Sequence, residues 1–150
     1  MTCQATNRSR AVTAGGRTWH GVLGACLDQL EPMPPGANLG IVYLSEALAP
    51  VADEVVRALR ERSGVATWLG ACGAAVLGGP GGASGDGLAV LVMALPRTGF
   101  RILTTPGTAL GECGLLLAHA ELSEAGPATL LAELAGVGAE TLVGGLTAAS

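Results

Sequence analysis

A chain of 150 residues is one domain's worth of sequence, and with 49% hydrophobic and 13% charged residues it lies far from the composition of disordered proteins. The net charge is −4, all eight basic residues are arginine and four residues are aromatic, so phosphate neutralisation and base stacking both lack material and nucleic acid is excluded as an expected partner. A mean hydropathy of +0.50 raises the question of a membrane, yet the apolar stretch Val65 to Leu77 is well short of the ~20 residues of a spanning helix and runs into Gly79-Pro80-Gly81, so no insertion is expected.

Residues 1–16 are polar and glycine-rich and read as a flexible N-terminus. No apolar stretch follows Arg8, Arg10 and Arg17 as a secretory signal requires, so the expected location is the cytoplasm. Trp19, Val22, Leu23, Cys26, Leu27 and Leu30 fall on one helical stripe, which Glu31-Pro32-Met33-Pro34-Pro35-Gly36 ends. Leu39 to Leu44 is a short continuous apolar run, the pattern of a strand covered on both faces. Ser45 and then Pro50 open a second helix in which Val51, Val55, Ala58, Leu59 and Arg62 share a side, and Ser63-Gly64 closes it. A strand from Thr67 follows, and strand, helix and strand in that order imply a right-handed βαβ unit.

Gly78 to Gly87 reads as a flexible connector. Ser84 stands where a Gly-x-Gly-x-x-Gly pattern counted from Gly79 needs its third glycine, so phosphate cradling is not expected. Leu88 to Leu95, Phe100 to Leu103 and Leu115 to Ala120 read as strands, Pro127 to Leu134 as a helix with proline near its first turn, and Thr141 to Leu146 as the last strand. The fold class is α/β, a mixed β-sheet with flanking helices and at least one βαβ unit, with an αββα-type sandwich an open alternative.

Two segments repeat one arrangement. Thr67-Trp68-Leu69-Gly70-Ala71-Cys72-Gly73 and Thr141-Leu142-Val143-Gly144-Gly145-Leu146-Thr147 each follow a stretch that reads as helix, and each ends an apolar run in small residues. Glycine at a strand end lets a ligand or another backbone approach closely, which is the geometry of a pocket floor; the alternative is that these glycines only stop the strands or permit tight packing.

With Ala37 to Leu44, Val51 to Arg62, Trp68 to Val76, Leu88 to Pro96 and Leu142 to Ser150, taken in order and spacing, the chain resembles the N-terminal domain of FIST proteins, a bacterial family of intracellular signal-sensing modules. The resemblance runs from about Arg17 to Ser150 and implies a FIST N-terminal domain over 17–150, truncated at its C-terminal end. One departure is the loop before Leu88, where Asp86 is the single acidic residue and the family usually offers more. The resemblance implies a domain that senses a small molecule, with amino acids the suggested class, and passes occupancy to a C-terminal FIST domain or a signalling partner protein. Gly70, Ala71, Cys72, Gly144, Gly145 and Thr147 are the expected ligand-binding residues. Self-association is also expected, because the last strand has no following element to cover it.

Chemistry has few candidates. Cys3, Cys26, Cys72 and Cys113 stand far apart with no Cys-x-x-Cys pair, which argues against zinc and for free thiols. Cys72 is the best nucleophile candidate, and a cysteine-dependent hydrolase or transferase is the alternative function; yet no base stands in a recognisable motif with it, and its thiol is expected to have an ordinary pKa near ~8.5. His119 ends an apolar run and His20 follows Trp19, so either could ligate haem, and a haem-based gas sensor is the further alternative that the resemblance implies. The favoured expectation is no metal, no cofactor and no catalysis.

Overall fold

The computed structural model describes residues 8–76, 86–103, 113–121, 129, 132, 134, 136 and 139–147. The chain divides into two compact units, Met1–Gly99 and Phe100–Ser150. In the first, strands β1 (Ser9–Gly15), β2 (Leu39–Ser45), β3 (Thr67–Gly73) and β4 (Gly87–Met93) form one sheet in the order β1-β4-β2-β3. Helix α1 (Trp19–Leu30) follows β1, and helix α2 (Ala52–Ser63) connects β2 to β3, which run parallel as the βαβ pattern requires. Strand β4 runs antiparallel to both β2 and β1. The fold is α/β with a mixed sheet, as expected.

Register explains where the core lies. Val12, Val90, Val42 and Gly70 form one row across the four strands, and Ala14, Leu88, Leu44 and Cys72 form the next. These rows meet Val22, Leu23, Cys26, Leu27 and Leu30 of α1 and Val55 and Leu59 of α2 in a single cluster, where Leu30, Val55, Leu59 and Leu88 are fully buried. Burial of a side chain of that size is worth about 1.5–3 kcal/mol, so the helices are held by this face and not by their own propensity. Leu39, Ile41, Tyr43, Leu69 and Ala71 alternate onto the opposite face.

Local signals set the element ends. The Thr18 hydroxyl accepts a hydrogen bond from the Gly21 N–H at 3.3 Å and caps α1. A turn of 3-10 helix over Glu46–Val51 carries Pro50 into α2. Asp53 and Glu54 in the first turn of α2 and Arg60 and Arg62 in its last complement the helix dipole, and Gly64 at φ 71° ends the helix by donating to the Arg60 carbonyl. Asn38 ends the strand after Met93: its amide donates to the Leu95 carbonyl at 2.7 Å and accepts from the Leu95 N–H at 3.0 Å.

Two expectations are corrected. Residues 1–16 read as a flexible N-terminus, yet Ser9–Gly15 is an edge strand in full register with β4. Arg10, Val12 and Ala14 point one way and Ser9, Ala11 and Thr13 the other, so polar residues at alternate positions dilute the apolar pattern of a strand with one covered face. Phe100 to Leu103, read as a strand, has no regular structure. A turn closed by Gly99 donating to the Pro96 carbonyl precedes it, Arg101 and Ile102 are both exposed, and so short a run has no face to bury.

The second unit contains β5 (Cys113–Glu121) and β6 (Ala139–Thr147), a parallel pair with Leu115 opposite Thr141 and Glu121 opposite Thr147. Of the helix expected over Pro127 to Leu134, Thr129, Ala132 and Leu134 are helical, and the other positions lie outside the described residues. Residues 78–85 of the expected glycine-rich connector lie outside them as well. Among the described residues no helix is long and apolar enough to cross a membrane.

Arg10 ties the edge strand to the end of α1. Its Nη1 donates to the Leu30 carbonyl at 3.1 Å and the Pro32 carbonyl at 3.0 Å, placing a cation where the helix leaves acceptors unmet. Arg10→Met keeps the apolar stem and removes both bonds, and it is expected to lower the unfolding free energy by about 1–3 kcal/mol, read as a lower urea midpoint at unchanged slope. The same change at exposed Arg8 is expected to be near neutral. Equal midpoints for the two variants would show that these carbonyl contacts do not hold the helix end.

Candidate functional site

The C-terminal edge of the parallel pair β2 and β3 is built from Ser45, Gly73 and the start of β4. Ser45 is completely buried, and its hydroxyl accepts a hydrogen bond from the Gly87 N–H at 3.0 Å, tying the ends of two neighbouring strands. Sequence reading took Ser45 only as the opening of a helix. The signal available, a hydroxyl directly after six apolar or small residues, does not distinguish a helix opener from a strand-end tie.

Of the expected ligand-binding residues, Gly70, Ala71 and Cys72 lie on β3 and Gly144, Gly145 and Thr147 on β6, in separate units. Gly70 pairs with Val42 and Gly144 with Ala118. A Cβ built on Gly70 would collide with the carbonyl oxygen of Val42, and one built on Gly144 with the carbonyl oxygen of Ala118. Gly144 also has φ 157°, a backbone angle that side-chain-bearing residues rarely adopt. What comes close to both glycines is therefore the neighbouring strand. Gly40 serves a related purpose, since a Cβ there would meet the ring of Trp68, whose indole N–H donates to the Val65 carbonyl at 2.7 Å.

Cys72 shares a row with Leu44 and packs against the core cluster, and it is half-buried. Burial pushes its thiol above the ordinary value, correcting the expectation of an unperturbed thiol. Cys26 is buried outright, donates to the Leu88 carbonyl at 3.7 Å and is pushed up to about 11 by burial, which an Ala14 backbone hydrogen bond only partly offsets. Both thiols are free. His20 is exposed and stacked on Trp19 with ring centroids 3.6 Å apart, whereas His119 is half-buried and its pKa is lowered by burial.

Substitution separates the two readings of the glycines. Gly70→Ala and Gly144→Ala are each expected to cost about 2 kcal/mol or more, because the clash is with backbone that can move only by parting the strands. Gly24→Ala, in mid-helix with nothing within 4 Å of the added methyl, is expected to stabilise by up to about 1 kcal/mol. Thermal unfolding of the three variants checks this, and a Gly70→Ala protein as stable as wild type would remove the proposed close approach. For the thiols, a raised pKa means the protonated form dominates at neutral pH. Iodoacetamide labelling at Cys72, followed by peptide mass mapping, is expected to be slower than that of glutathione at pH 7 and to accelerate only as pH rises past the ordinary thiol range; labelling faster than glutathione would restore Cys72 as an activated nucleophile.

A family model, described as FIST N domain, matches residues 38–150, so it takes in β2 through β6. No curated protein and no solved structure matches the chain. The match covers more than half of the chain, and the chain belongs to the FIST N domain family, a family of signal-transduction sensory domains.

Proposed function

We propose that this domain binds a small molecule in the bacterial cytoplasm and passes its occupancy to a C-terminal FIST domain or another signalling protein. The observation that carries the reading is the parallel pair β2 and β3, where the carboxyl end of β2 is tied to the start of β4 by the Ser45 hydroxyl and the Gly87 N–H, since open α/β sheets bind ligands just outside such strand ends. In this reading Ala71 on β3 and Gly145 on β6 each contribute a ligand contact within their own unit, while Gly70 and Gly144 hold the strands that carry them. No chemistry is required. The ligand need only bind one conformation more tightly than another, and a shift from mostly inactive to mostly active takes about 5.5 kcal/mol of differential affinity. The raised thiol of Cys72 weighs against the hydrolase alternative, because the thiolate is the nucleophile.

The full chain screened by thermal unfolding against the twenty amino acids is expected to show a concentration-dependent rise in Tm for a subset of them. A ligand at a hundred times its Kd adds about 2.7 kcal/mol of stability, well above detection. A flat response across the panel at millimolar concentration would contradict amino-acid sensing.

A further inference from the structure

Residues 39–73 and 115–147 share more than a parallel strand pair. In each, a leucine of the first strand stands opposite a threonine of the second, Leu39 with Thr67 and Leu115 with Thr141. The third residue after that threonine is the glycine whose missing Cβ makes room for the carbonyl of its register partner, Gly70 with Val42 and Gly144 with Ala118. Helical residues lie between the strands in both, and register partners stand 28 residues apart in the first (Leu39 and Thr67) and 26 in the second (Leu115 and Thr141). At the next register position Tyr43 stands opposite Ala71, and His119 opposite Gly145. Each is a half-buried ring with a hydrogen-bonding group, set in an apolar strand and paired with a residue of little or no side chain.

We propose that residues 39–73 and 115–147 are two copies of one β-α-β unit, and that Tyr43 and His119 are its repeated ligand contact, one in each copy; the proposal rests on the sensing reading above. The phenol donates and accepts one hydrogen bond each with ease, and burial keeps the imidazole neutral at neutral pH, with one nitrogen donating and the other accepting. Strands β2, β3, β5 and β6 contain no arginine or lysine. Neutral hydrogen-bonding rings among apolar neighbours suit an uncharged or zwitterionic molecule with an apolar body, and they do not suit a phosphate.

The test is the full chain titrated with the amino acid that most raises its Tm, followed by the ring resonances of Tyr43 and His119, with exposed His20 as the internal control. Both rings are expected to shift with saturation while His20 does not. Tyr43→Phe and His119→Gln are each expected to weaken binding about threefold to tenfold, the loss of one hydrogen bond. If an amino acid binds and neither ring shifts, the repeated contact is overturned and the sensing reading stands. If no amino acid binds the wild-type chain, both are overturned. The ring shifts are read on unaltered protein, so they decide even if a variant fails to fold.

Discussion

A carbonyl oxygen brought up against a glycine α-carbon is the constraint on which both strand pairs depend. At Gly70 the oxygen belongs to Val42, at Gly144 to Ala118, and in each case a methyl group would occupy the same space as the oxygen. Contacts of this kind, a Cα–H directed at a carbonyl of the adjacent strand, are individually weak, on the order of 0.5–1 kcal/mol. Their larger effect is exclusionary: every other amino acid would part the strands. In the first unit the same row carries Val42 and Val90 into the core beneath the helices, so strand spacing and helix packing are set by one register.

That register also decides which side chains are available for binding. Cys72 falls on the helix-covered face and is committed to packing, while Ala71 falls on the other face beside Tyr43. Sites made of strand ends need the ends to be held still, and here the tie is Ser45, completely buried and satisfied by the Gly87 N–H.

Much of the first unit is legible in the sequence, for identifiable reasons. Helix α1 has an apolar stripe and a Thr18 cap, α2 has charges matched to its dipole and a Gly64 stop, and β2 and β4 are unbroken apolar runs. Strand β1 was hidden because an edge strand alternates polar and apolar residues and Arg10 sits on its inner side, where its charge serves the end of α1. Phe100 to Leu103 misled for the opposite reason, being three apolar residues around Arg101 with no strand partner among the described residues. The candidate site was half legible. The glycines stand out in the sequence, but composition does not say what fills the space of a missing Cβ; only register reveals that it is a neighbouring carbonyl.

The close approach is measured most directly by the α-proton chemical shifts of the glycines in the intact chain. One α-proton of Gly70 and one of Gly144 occupy the direction a Cβ would take, each aimed at a carbonyl oxygen, and the account predicts that this proton is deshielded well away from its geminal partner. Gly24 and Gly64, with nothing within 4 Å in that direction, should show smaller separations. Separations at Gly70 and Gly144 no larger than those of Gly24 and Gly64 would contradict the account.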